Sequence, residues 1–267
     1  MPQISTKISS NVSYRKMGSG PCLVLIHGFP ESGNLWRDTW SKLSDTFTLI
    51  IPDMPGSGNS QLDSETSIGG MAECVKAIMD AEDIEKAVIA GHSMGGYIGF
   101  EFAARYPHMV AGLSLVHSVP DADDEEKKIM RSKSIQLLRN GGKDIYIRQM
   151  IPNLFSEASK KLHPAMVEEE IGLALQMDDQ CLINFTRAMM ERKDNAGLLA
   201  GANFPMQWII GKDDNVINFR KILKHTYQSR INFVSFYANC GHMSMLESPD
   251  RLLSDLKKFT NYSFGYN

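Results

Sequence analysis

The stretch Val88-Ile89-Ala90-Gly91-His92-Ser93-Met94-Gly95-Gly96 sets one serine between glycines two residues away on either side. An apolar run precedes it and a helix-forming stretch follows, which is the context a Gly-x-Ser-x-Gly motif requires. A serine hydroxyl is a weak nucleophile until it is presented to a base and freed from competing backbone hydrogen bonds. A sharp strand-to-helix turn presents it, but strains the serine backbone and crowds both flanking positions. Glycine at 91 and 95 removes the side chains that would clash. The following helix starts at the serine, so its free amides and dipole favour an anion there. Gly95, Gly99 and Ala103 give that helix one small face for close packing. The chemistry implied is nucleophilic attack by Ser93.

A base, an acid and an anion site are then needed. Asn239-Cys240-Gly241-His242-Met243 follows the last apolar run, and a histidine on such a loop can swing toward Ser93. Of the seven histidines, His242 is the one whose position fits a base. Trp208-Ile209-Ile210-Gly211-Lys212-Asp213-Asp214 sets two aspartates past the preceding strand, where one can fix the histidine tautomer and steady the imidazolium. Asp214 is the first choice, Asp213 the alternative, and Asp121 a third candidate. Leu23–Pro30 ends a buried strand with His27-Gly28-Phe29-Pro30. Backbone amides of Phe29 and Met94 are the candidate donors to an oxyanion. His27 reads as a brace for its loop, not as a base.

These residues need elements to position them. Short apolar runs alternating with amphipathic stretches predict a mostly parallel sheet covered by helices. Strands are expected at Ile4–Ile8, Val12–Met17, Cys22–Ile26, Thr46–Ile51, Lys86–Ala90, Val110–Val116, Met206–Ile210 and Asn232–Phe236. The first two are too close for a crossover and should start the sheet antiparallel. Helices are expected near Leu35–Leu43, Ser67–Ala81, Met94–Tyr106, Phe219–Tyr227 and Pro249–Thr260. The gap between Val116 and Met206 shows helical periodicity at Val167, Ile171, Ala174 and Leu175, and again at Leu182, Phe185 and Met189. Helix starts fit near Pro164 and at Asp178 or Asp179. Residues 119–203 therefore read as a helical insertion, and 1–118 with 204–267 as the core domain. Methionines in the insertion (Met130, Met150, Met166, Met177, Met189, Met190) suit either an adaptable apolar pocket or core filling. The acidic run Asp121–Glu126 reads as a solvated helix start.

Bulk composition bounds the function. The chain has 267 residues and a net charge of −3 without a basic block, which gives no electrostatic case for nucleic acid or an anionic membrane. No apolar run reaches the length of a membrane span, and the N-terminal residues lack a secretory signal pattern. Cys22, Cys74, Cys181 and Cys240 are scattered, with no zinc or disulfide spacing. A cytoplasmic protein with buried thiols is the expectation, and no oligomeric state is implied.

With these segments in place, the chain resembles the α/β-hydrolase superfamily over essentially its whole length. The resemblance rests on HGFP at 27–30, DMPGSGNS at 53–60, GHSMGG at 91–96, GKDDNV at 211–216 and GHMSMLESP at 241–249, in that order. It implies an eight-stranded mostly parallel sheet flanked by helices, with 119–203 as a cap over the site. It favours Asp214, since the acid usually stands three residues after a glycine such as Gly211. The glycines of 53–60 are then a family loop, not a dinucleotide fingerprint. HGFPES followed by Leu35-Trp36-Arg37 is similar to epoxide hydrolases and haloalkane dehalogenases, which carry an aspartate nucleophile. Ser93 at that position suits an acyl carbon instead. The resemblance therefore implies hydrolysis of a small ester, lactone or related acyl substrate through Ser93, His242 and Asp214, without metal or cofactor. Carbon–carbon bond hydrolysis and cofactor-free haloperoxidase-like esterase chemistry are the alternatives within the family. A ligand-sensing protein on the same scaffold is the alternative outside catalysis.

Overall fold

The computed structural model describes residues 1–266. Its sheet has eight strands in the order β1-β2-β4-β3-β5-β6-β7-β8. The ranges are β1 Gln3–Ile4, β2 Val12–Met17, β3 Cys22–Ile26, β4 Thr48–Pro52, β5 Ala87–His92, β6 Val110–Val116, β7 Met206–Gly211 and β8 Asn232–Tyr237. β1 and β2 pair antiparallel, β2 pairs antiparallel with β4, and every later pairing is parallel. The first strand is shorter than expected. Thr6 N–H donates to Ser9 O at 2.8 Å, and that turn takes the chain out of the sheet.

Twelve α-helices complete the fold among the described residues. In the first half of the core these are α1 Arg37–Ser44, α2 Ile68–Ala81 and α3 Met94–Arg105. The expected first helix is split, because Gly33–Trp36 forms a 3₁₀ turn capped by Ser32 before α1 begins. Next come α4 Glu125–Arg139, α5 Lys143–Met150, α6 Glu157–Leu162, α7 Pro164–Leu175, α8 Asp179–Met190 and α9 Leu198–Gly201. The chain returns to the core through α10 Phe219–Leu223, α11 Ser244–Glu247 and α12 Pro249–Ser263.

Strands β3, β5, β6 and β7 are buried along their whole length, as expected of parallel strands covered on both faces. Opposite faces of β6 show how the layers form. A Cβ on Gly99 of α3 would lie 3.0 Å from Leu113, whereas one on Gly112 would lie 2.9 Å from Phe259 of α12. The small residues thus let α3 and α12 approach the sheet from its two sides. β8 is an edge strand with alternating exposure. The fold is that of an α/β hydrolase, and it delivers the ends of β3, β5, β6 and β7 to one rim.

Residues 119–203 hold α4 to α9 and no strand among the described residues, forming a helical insert between β6 and β7. Asp178 caps α8 through Gln180 N–H, and Pro164 is the first residue of α7. The acidic run is only partly solvated. Asp124 caps α4, and Glu125 and Glu126 are exposed in its first turn. Asp123, however, is buried, with Arg192 Nη1 donating to it at 2.7 Å and Arg131 beside it. All four cysteines are free and buried.

Candidate active site

The turn between β5 and α3 carries Ser93 at φ 50° and ψ −111°, a left-handed backbone that a serine rarely adopts. Its surroundings hold it there. Ser93 N–H donates to Val116 O at 2.9 Å, and Ser93 O accepts from Gly96 N–H at 2.9 Å and Ser118 Oγ at 2.8 Å. The flanking glycines are required by close approach. A Cβ at 91 would meet Gly95 O at 2.2 Å, and one at 95 would meet Ile26 O at 2.4 Å.

His242 lies on the loop after β8, and its Nδ1 stands 2.7 Å from Asp214 Oδ2. A carboxylate only accepts, so Nδ1 carries a hydrogen in this contact. Asp214 Oδ1 accepts the N–H groups of Val216 and Ile217 at 2.8 and 2.9 Å. Burial opposes the Asp214 carboxylate, but the neighbouring His242 and His117 outweigh it and hold it well below the ordinary range. Asp213 is exposed and makes no such contact, and Asp121 instead faces Lys224 and His225 at 2.7 Å each. Of the three aspartates named from sequence, the structure brings only Asp214 to His242.

Ser93, His242 and Phe29 line one cavity of about 470 Å³ between the sheet rim and the insert. Ser93 lines this cavity, and its Oγ makes no hydrogen bond to a protein group within 3.5 Å among the described residues. No backbone carbonyl accepts the N–H of Phe29 or of Met94 among the described residues. The floor and walls are largely apolar, from Tyr97, Leu137, Tyr146, Leu154 and the methionines Met130, Met150 and Met189. Half of the methionines singled out in the insert thus line this cavity. Lys127, Arg131 and Lys133 stand on α4 around it, and no Asp or Glu lines it among the described residues.

Several residues around the site have contacts that were not assigned from the sequence. Glu247 Oε1 accepts from Gly241 N–H at 3.0 Å and Met243 N–H at 3.2 Å, gripping the loop on both sides of His242. Its Oε2 accepts from Ser156 N–H and Ser159 Oγ, and His242 N–H donates to Leu154 O at 2.7 Å. The loop that carries His242 is therefore tied to the insert. His117, at the end of β6, is fully buried, and its Nδ1 accepts the Gly211 N–H at 3.3 Å and lies 3.6 Å from Asp214 Oδ2. Burial pushes its imidazole down to about 4, so it is neutral near pH 7. His27 behaves as a brace. Its Nδ1 bonds Gly28 O at 2.8 Å and its Nε2 accepts from Met54 N–H at 3.0 Å, joining the 27–30 turn to the 53–60 loop. His117, Asp214 and His242 also offer one ligand atom each within 4.8 Å of one another. Within that group His242 Nδ1 and Asp214 Oδ2 are already hydrogen-bonded to each other at 2.7 Å.

A family model described as alpha/beta hydrolase fold matches residues 21–139, and the chain is an α/β-hydrolase-fold protein. It is similar in structure to a thermophilic esterase from Thermogutta terrifontis, with 25% identity, 98% of each chain covered and a TM-score of 0.93. An enol-lactonase from Burkholderia xenovorans LB400 shares the fold at 19% identity and a TM-score of 0.88, over 97% of this chain and 99% of that one. In sequence, the chain is 25% identical to a pimeloyl-[acyl-carrier protein] methyl ester esterase of Pseudoalteromonas atlantica over 92% of this chain and 96% of the relative. The chain spans 31% of the length of uncharacterized mycobacterial relatives that it matches at 36% identity over 105 residues.

Proposed function

We propose that the protein is a serine hydrolase that cleaves a small ester, lactone or related acyl substrate through an acyl-enzyme. The observation that carries this reading is the strained Ser93 sharing a cavity with His242, whose Nδ1 is held by buried Asp214. Ser93 Oγ attacks the acyl carbon while His242 Nε2 takes its proton. Asp214 steadies the imidazolium so formed, and the Phe29 and Met94 N–H groups take the oxyanion. Such donors typically contribute about 3–4 kcal/mol each to the transition state. Collapse breaks the bond to the leaving oxygen, which receives the proton from His242. Water then repeats the sequence on the acyl-enzyme, His242 acting as base, and returns free Ser93 and a carboxylic acid. The steps need no metal or organic cofactor.

Residues 119–203 act in this reading as a cap that closes the apolar cavity over Ser93. The lining supports an apolar acyl part of modest size. Lys127 and Lys133 have no ion-pair partner among the described residues and stand where no acid lines the cavity, which supports a substrate with an anionic group at the mouth. The relatives that act on esters by name are consistent with this chemistry. The test is turnover of a panel of neutral and carboxylate-bearing esters and lactones by wild type and Ser93→Ala. Turnover lost in the variant supports the reading. A folded wild type that turns over none of them, but is stabilised by one without consuming it, would favour the ligand-sensing alternative.

A further inference from the structure

Behind the proposed triad lie a carboxylate and an imidazole that take no part in the steps above. Glu31 and His92 have side chains only 5% and 1% exposed, and Glu31 Oε2 lies 3.0 Å from His92 Nδ1. The same oxygen accepts Gly28 N–H at 3.0 Å, and His92 Nε2 lies 2.9 Å from the carbonyl of His242. A carbonyl only accepts, so Nε2 carries a hydrogen, and Nδ1 facing a carboxylate carries the other. Burial would lower the His92 imidazole, but the Glu31 charge and hydrogen bond outweigh it and raise it above the ordinary range. Burial likewise opposes the Glu31 carboxylate, and the His92 charge holds it below the ordinary range. The couple is an imidazolium and a carboxylate, both buried.

Its three attachments are the three parts of the site. Gly28 precedes Phe29, whose amide is assigned to the oxyanion. His92 precedes Ser93 in the chain. The carbonyl belongs to the proposed base itself. Glycine at 28 is what lets the couple come this close, since a Cβ there would lie 2.6 Å from His92 Nδ1 and 2.9 Å from Glu31 Oε2. A buried ion pair is a poor source of net stability, because desolvation consumes most of its Coulomb gain. Its hydrogen bonds, however, fix geometry, and reacting groups lose rate steeply with small misplacements.

We propose that Glu31 and His92 act as one positioning couple that holds the oxyanion turn, the nucleophile and the base at a fixed mutual spacing. The proposal rests on the serine-hydrolase reading of Ser93. Glu31→Gln keeps the shape and removes the charge. His92 then keeps one ring hydrogen, and a single amide atom at the Oε2 position cannot satisfy Gly28 N–H and His92 while His92 still donates to His242. In the folded Glu31→Gln protein, kcat and the rate of fluorophosphonate labelling fall together by about 10- to 100-fold, with KM changed by less than about threefold. Glu31→Asp, which keeps the charge, recovers part of the loss. A merely structural role would lower the melting temperature and leave kcat of the folded protein unchanged. In wild type, nitrogen NMR of His92 at pH 8 shows hydrogens on both ring nitrogens, a readout that needs neither activity nor a stable variant. A neutral His92, or a folded Glu31→Gln as active as wild type, overturns the couple. A wild type that neither labels nor turns over esters instead defeats the hydrolase reading, so the two failures are distinguishable.

Discussion

Replacing Asp214 by asparagine exchanges one oxygen for nitrogen at nearly constant volume. The amide oxygen is drawn to the Val216 and Ile217 N–H groups that Oδ1 now accepts at 2.8 and 2.9 Å. That leaves the amide NH₂ facing His242 Nδ1, 2.7 Å from Oδ2 in the native protein, and donating where the carboxylate accepted. His242 must then carry its hydrogen on Nε2, the atom proposed to receive the Ser93 proton. Two effects combine. The transition-state imidazolium loses a carboxylate with its charge centre about 4 Å away, an interaction of about 4 kcal/mol at an effective dielectric of ~20. That is roughly a factor of 10³ in kcat. With the wrong tautomer added, the loss is about 10⁴, the size of effect typical of a triad aspartate replaced by asparagine. Asp213→Asn and Asp121→Asn leave kcat within about twofold, as expected of substitutions that do not touch the base. Steady-state hydrolysis of a chromogenic ester measures all three, with a circular-dichroism melt to show that each is folded. A folded Asp214→Asn within tenfold of wild type, or a large loss in Asp213→Asn, would show that Asp214 does not support His242.

Three further outcomes are expected. His117 is neutral when folded, held down to about 4, whereas an unfolded histidine protonates near 6.5. Stability from this group is therefore complete above pH 6.5 and is lost as pH falls toward 4, by about 3 kcal/mol over the window. Urea melts at pH 7 and 4.5 should show a shallower acid loss in His117→Gln than in wild type, and equal slopes would contradict this. Lys127→Ala with Lys133→Ala should raise KM for a carboxylate-bearing ester by several-fold and leave the neutral ester unchanged. Added salt should reproduce that difference in wild type. Arg192→Met removes the cation that bonds buried Asp123 and lies 3.9 Å over the Tyr97 ring. Since Arg131 still pairs with Asp123, the loss of stability should be about 2–3 kcal/mol, below that of a wholly orphaned buried charge. An unchanged denaturation midpoint would count against it.

Much of the fold was legible because its signals are local. Buried parallel strands read as unbroken apolar runs, and β2, β3 and β6 fall at their expected limits. The turn glycines at 91 and 95 announce the Ser93 turn through a clash that any side chain would create. Elements at the margins were less legible. A hydrogen-bonded Thr6–Ser9 turn ends β1, and α10 stops at Leu223, short of the expected Tyr227. Long-range polar partners were illegible. Nothing in the local pattern around Glu31, His117 or Glu247 marks it as lying against His92, Asp214 or the His242 loop. Those pairings exist only once β3, β5, β6, β7 and β8 deliver their ends to one rim. The burial of Asp123 was hidden for the same reason, since its partner Arg192 lies 69 residues away in sequence.

Whether Ser93 is an activated nucleophile can be read from fluorophosphonate labelling, with the modified peptide located by mass spectrometry. One phosphonylated site is predicted at Ser93, absent in Ser93→Ala and strongly slowed in His242→Ala. Folded wild-type protein that stays unlabelled by probes small enough for the 470 Å³ cavity, or is labelled elsewhere, would mean that Ser93 is not the nucleophile.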